Sequence, residues 1–96
     1  MVEDEFEWDV AKAERNLLKH GVGFEAAQYV FDDGFACERC DFDSEPGEIR
    51  YVITGTVRDV VLTVVYTERG GRNRIISARR ATTHEQREYY RSQTAQ

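Results

Sequence analysis

The sequence predicts an α+β domain in which a four-stranded antiparallel sheet follows two helices and precedes a third. Three observations carry that prediction. Asp9 and Gly21 bracket a helix-length segment, residues 60–67 form an almost unbroken β-branched run, and Gly70-Gly71 joins that run to another apolar stretch. The 96 residues make one domain, 1–96, and 41% hydrophobic with 32% charged residues is the balance of a globular chain.

The first helix is expected over Val10–His20. Asp9 carries the short acceptor side chain that caps helix starts, and Gly21 can turn left-handed after the last helical residue. Val10, Ala13 and Leu17 are expected on or near its buried arc. Lys12, Asn16, Lys19 and His20, at i, i+4, i+7 and i+8, would then form a polar stripe on the other side. Trp8 reads as a staple beneath this helix. A second, short helix is expected over Phe24–Phe31, with Asp32-Asp33-Gly34 as its exit.

Strand signals dominate the rest. Phe35–Cys40 is a weak first strand, Ile49–Gly55 a stronger second, and Val60–Thr67 (VVLTVVYT) belongs at the centre of the sheet. Between the first two lies an acidic loop, DFDSEPGE, holding the single proline, Pro46. Gly70-Gly71 supplies the positive φ angles of a type I′ turn into the last strand, Asn73–Arg79. Thr82-x-x-Glu85 reads as a capping box opening a final helix toward Ser92. Helices are expected mainly on one face.

The hairpin sets a register. With Arg69 opposite Arg72, Val65 faces Ile76, Thr63 faces Ala78 and Val61 faces Arg80. One face then carries Tyr51, Ile53, Leu62, Val64, Tyr66 and Ile75, a core for the helices. The other carries Arg50, Thr54, Thr63, Thr67, Arg74, Ala78 and Arg80, a poor core and a good anion groove. Arg79 points the opposite way, toward the last helix, where Glu85 and Glu88 can pair with it.

The net charge of −5 argues against general nucleic-acid binding, but the charge is split. Residues 1–48 hold 14 acidic and 4 basic residues, whereas residues 49–96 hold 4 acidic and 9 basic ones. All nine of those bases are arginine, whose planar fork matches phosphate. No apolar run approaches the ~20 residues of a membrane span. The acidic start, MVEDEFEWD, lacks the basic opening of a secretory signal, so a cytoplasmic location is expected. Cys37 and Cys40 form a lone C-x-x-C with no second ligand pair, so two reduced thiols are expected and no metal.

FEWDVAKAERNLLKHGVGFEAA, followed by VVYTERGGRNRIISARRATTHEQREYY, resembles the BrnT family of bacterial toxins. The resemblance covers nearly the whole chain in order, including Trp8-Asp9, Lys12, Asn16, Lys19-His20-Gly21-Val22, the YTER strand end and the ISARRA segment. It implies a RelE-like fold and a metal-independent ribonuclease without cofactor, silenced by a BrnA-like antitoxin. It further implies that the antitoxin brings the DNA-binding domain, so that operator DNA is met only through the partner.

Metal-free RNA cleavage uses the 2′-hydroxyl as nucleophile and needs positive charge on the developing phosphorane. Arg50, Arg69, Arg79 and Arg80 are the catalytic candidates. Lys12, Asn16, Lys19, His20 and Arg74 are the RNA-binding candidates. His84, Glu85 and Tyr89 lie near the arginine pair in sequence, but none is assigned as base, and Glu85 is better explained as the partner of Thr82. Two other readings compete. One is a non-catalytic protein whose arginine-rich face receives an antitoxin in a repressor complex; the other is a zinc- or redox-responsive regulator acting through Cys37 and Cys40.

Overall fold

The computed structural model describes residues 5–41 and 47–94; the expected loop around Pro46 lies largely outside them. The described elements are β1 (Phe6–Glu7), α1 (Val10–His20), α2 (Phe24–Ala27) running into a 3₁₀ turn (Gln28–Asp32), β2 (Cys37–Asp41), β3 (Arg50–Val57), β4 (Val60–Arg69), β5 (Arg72–Arg80) and α3 (Thr83–Thr94). No helix among them is long and apolar enough to cross a membrane.

The sheet has five strands in the order β1-β5-β4-β3-β2, rather than the four expected. β2 to β5 form the antiparallel meander, with β4 at its centre. The addition is β1, which pairs parallel to β5 through Phe6↔Asn73 and Glu7↔Arg74 and makes the sheet mixed. Two residues are too short to show any alternation.

The terminal signals in the sequence correspond to formed caps. The Lys12 N–H donates to Asp9 Oδ1 at 3.1 Å, and Gly21 sits at φ 70° with its N–H on the Leu17 carbonyl. At α3 the Glu85 N–H donates to Thr82 Oγ1 at 3.1 Å while the Thr82 N–H donates to Glu85 Oε1 at 2.8 Å, a complete capping box. The second helix is shorter than expected: after one α turn it tightens to 3₁₀ geometry, which brings Val30 against the sheet. Gly55 admits that approach, because a Cβ there would lie 3.1 Å from Val30 Cγ1 and 3.2 Å from both Ala36 Cβ and Asp33 Oδ2.

The main core fills one side of the sheet. Ile53, Leu62, Val64, Tyr66, Ile75 and Ala78 meet Phe6, Trp8, Val22, Phe24, Ala27 and Val30, with Tyr51 packed at the margin. Trp8 is buried edge-on to Phe24. A smaller cluster of Val61, Ala81, Tyr89 and Cys37 lies on the opposite side, where α3 crosses one end of the sheet. The main-core side thus carries α1 and α2, and the opposite side carries α3.

Two expectations about orientation are overturned. In α1, Val10 and Leu17 are 55% and 52% exposed, and the buried residue is Asn16. Its amide lies along the free edge of β5. Asn16 Nδ2 donates to the carbonyls of Ala78 (2.7 Å) and Val22 (3.0 Å), and the Ala78 N–H donates to Asn16 Oδ1 at 3.2 Å. These bonds satisfy strand-edge groups that leucine could not, so the helix turns Asn16 inward while Lys12, Lys19 and His20 stay exposed.

The second correction is a β-bulge. Arg69↔Arg72 through Tyr66↔Ile75 follow the expected register, but Val65 then pairs with Ser77 and Ile76 is the extra residue. Beyond it every side chain on β5 changes face. Thr63 faces Arg79 rather than Ala78, Val64 faces Ala78, and Leu62 faces Arg80. Ala78 joins the core, Arg79 lies on the threonine-lined face, and Arg80 falls on the other side at an exposed strand end.

Candidate functional site

The face opposite the main core is laid out in cross-strand rows. One row runs Asp41, Arg50, Thr67, Arg74, Glu7 across all five strands. The next holds Arg39, Val52, Val65 and Ser77, and the third Cys37, Thr54, Thr63 and Arg79. α3 closes over the third row and leaves the first open.

Around the first row lies a groove of about 800 Å3, lined by Lys12, Arg50, Arg69 and Arg74 with Thr67, Ile76, Glu48 and Glu68. Four elements deliver these cations. Arg50 and Arg74 stand two strand spacings apart, roughly 10 Å, on either side of Thr67. Arg69 closes the β4 end of the hairpin, and Lys12 reaches in from the first turn of α1. Glu48 Oε1 holds Arg50 Nε at 3.0 Å, and Glu7 Oε2 holds Arg74 Nη1 at 2.5 Å. Among the described residues, Arg69 and Lys12 make no ion pair.

Arg79 is built differently. Its guanidinium donates to both oxygens of Glu85, at 2.6 and 3.0 Å. Glu88, the other expected partner, pairs with Arg91 instead. The Arg79 bonds, with the Thr82 N–H, pull the Glu85 carboxyl down to about 2, and Glu85 in turn raises the guanidinium. Arg79 thus joins β5 to the start of α3.

A second fastening lies beyond it. Asp33 Oδ2 accepts from Tyr89 Oη (2.5 Å), the Thr56 N–H (2.8 Å) and Thr56 Oγ1 (2.9 Å), and Oδ1 accepts from the Phe35 N–H. Burial pushes this carboxyl up, but the donors together outweigh burial and hold it at about 2. The Tyr89 hydroxyl is raised by burial and by Asp33. Sequence reading attached Tyr89 to the arginine pair and gave Asp33 only a helix exit; no local pattern links residues 56 positions apart.

Of the residues singled out in the sequence, the structure brings together Lys12, Arg50, Arg69 and Arg74. Arg80 does not share their face: it pairs with Leu62 while Arg50 pairs with Thr67, about 16 Å away along β4. Asn16 is occupied with backbone groups, and Lys19 and His20 are exposed at the end of α1 without lining the groove. Cys37 and Cys40 are free thiols on opposite faces of β2, and no described cluster has the makings of a metal site.

Residues 8–85 match the family described as the ribonuclease toxin BrnT of a type II toxin–antitoxin system. The matched span runs from Trp8 through the whole sheet to the capping box of α3. No curated protein matches the chain.

Proposed function

The chain belongs to the BrnT family of type II toxin–antitoxin ribonuclease toxins, and we propose that it cleaves RNA in the groove around Lys12, Arg50, Arg69 and Arg74, without a metal. The observation that carries this reading is the meeting of four cations from separate elements in one open groove. The 2′ oxygen adds to the neighbouring phosphorus as its proton leaves, and the bond to the 5′ oxygen breaks as that oxygen takes a proton. Charge builds on the non-bridging oxygens between. Arg50 and Arg74, held by Glu48 and Glu7, bracket that position, while Arg69 and Lys12 supply charge not already claimed by a described carboxylate. Neither histidine lines the groove, so proton transfer falls to Lys12 and to Glu48 or Glu68.

A type II toxin has a protein antitoxin. An acidic antitoxin segment lying in the same groove would exclude RNA, and operator DNA would then be bound through that partner, as in a BrnA-like antitoxin. Both ligands are expected to compete and to weaken with salt.

The test is single-turnover cleavage of RNA by Arg50→Ala and Arg69→Ala proteins. Each removes a transition-state contact worth about 3 kcal/mol, so the rate should fall roughly a hundredfold. Wild-type rates in both folded variants would place the chemistry elsewhere.

A further inference from the structure

The open face has a second concavity, of about 510 Å3, at the end crossed by α3. Val52 and Thr54 of β3 form its floor, Cys37 and Arg39 of β2 one wall, and His84 and Glu88 of α3 the other. The floor is desolvated, with Val52 6% and Thr54 8% exposed.

Its chemistry differs from the cationic groove's. Glu85 and Glu88 are already matched by Arg79 and Arg91, and the Glu38 carboxylate is held by Tyr66 on the core side, so Arg39 is the one guanidinium lining the concavity and no cluster of cations meets there. In the floor, Thr54 Oγ1 lies 2.9 Å from Thr63 Oγ1 and shares one hydrogen bond with it, which leaves the Thr54 hydroxyl further hydrogen-bonding capacity toward the groove. A desolvated floor rimmed by an arginine and a histidine suits a flat heterocycle.

The two grooves adjoin. On β3, Val52 is the next residue after Arg50 on this face, about 7 Å along the strand. A ligand that spans both must alternate an anionic group with a planar, partly apolar one at that interval, which is the make-up of single-stranded nucleic acid.

We infer that the second groove takes one unpaired nucleobase of the RNA strand whose phosphate lies in the cationic groove. Arg39 stacks over the base, and the Thr54 hydroxyl meets its edge. This rests on the reading of the cationic groove given above, and it restricts the substrate to RNA whose bases can leave a duplex, since paired bases cannot reach the floor.

The experiment uses the full chain and a 2′-O-methyl tetranucleotide, which lacks the attacking hydroxyl and is not cut. Each base in turn is replaced by an abasic site, and binding is followed by fluorescence anisotropy. One position should lose roughly tenfold in affinity and the others little. That positional loss should vanish in an Arg39→Ala, His84→Ala protein, whose two changes lie at exposed side chains. A duplex of the same sequence should bind weakly. An even profile across positions, a positional loss that survives in the double variant, or equal binding of duplex would each overturn the base site while leaving the cationic groove standing. Failure of the intact tetranucleotide to bind, or binding indifferent to Arg69→Ala, would overturn the cationic-groove reading and this inference with it.

Discussion

At the α3 end of the open face, Arg79 is held by both oxygens of Glu85, which also caps the helix; at the hairpin end, Arg69 makes no ion pair among the described residues. Both are strand-end arginines on the same sheet face. The difference comes from what each neighbouring element delivers. α3 starts four residues after Arg79, and its capping box places a carboxylate over β5, whereas the type I′ turn beside Arg69 offers only Gly70 and Gly71. One guanidinium becomes a bracket within the fold, and the other stays available to a ligand.

The contrast between held and available side chains can be tested on α1, where the gap should be widest. Asn16→Ala strands the Ala78 N–H and two carbonyls in a buried place, and should cost about 3 kcal/mol in urea unfolding. Lys12→Ala, one turn earlier and exposed, should leave the same curve unmoved. Next comes the arginine pair itself. Arg79→Ala leaves the largely buried Glu85 carboxylate without its cation and should lose about 2 kcal/mol, while Arg69→Ala should lose less than about 0.5 kcal/mol of stability. Equal melting temperatures for the two variants would break the comparison.

Acid sharpens it further. Glu85 and Asp33 both sit at about 2 in the folded protein, below their ordinary range. Folded-state values that are depressed contribute stability above the unfolded values, near 4 to 4.5, and lose it as pH falls toward 2. Allowing for solvent screening, each carboxylate should contribute about 1 to 2 kcal/mol, read as a drop in melting temperature between those limits. Arg79→Ala should flatten the Glu85 part of that drop and leave the Asp33 part. A smaller gain is expected at the β3–β4 turn, where Arg58 and Asp59 are held at φ 50° and 67°. Replacing them by Asn-Gly should raise stability by about 1 kcal/mol. The smallest effect belongs to Arg80→Ala, which at an exposed strand end should move stability by less than about 0.5 kcal/mol.

Much of the fold was legible because its punctuation is local. Asp9, Gly21, Gly70-Gly71 and the Thr82/Glu85 box each act within a few residues, and alternation along Val60–Tyr66 identifies the core face directly. What escaped depends on partners distant in sequence. The inward turn of Asn16 answers the unpaired edge of β5, 62 residues away, and β1 exists only because that same edge receives it. The bulge at Ile76 carries no glycine to announce it, so strict alternation sent Arg79 and Arg80 to the wrong faces; the pairing of Arg79 with Glu85 was nonetheless anticipated from their proximity in sequence. The groove itself was half visible: Arg50, Arg69 and Arg74 follow from the hairpin register before the bulge, and Lys12 required the placement of α1.

Ile76 gives β5 one residue of slack. Because it is the unpaired extra residue, deleting it would restore uniform pairing and leave Ser77 opposite Val65, Ala78 opposite Val64 and Arg79 opposite Thr63, with every later side chain on its present face. Deleting Ala78 instead would bring Ser77 or Arg79 opposite Val64 and put a polar group into the core. Of single-residue deletions in β5, the one at the bulge should therefore be the mildest, which makes the length of the strand beyond Ile76, as much as its composition, a quantity under constraint.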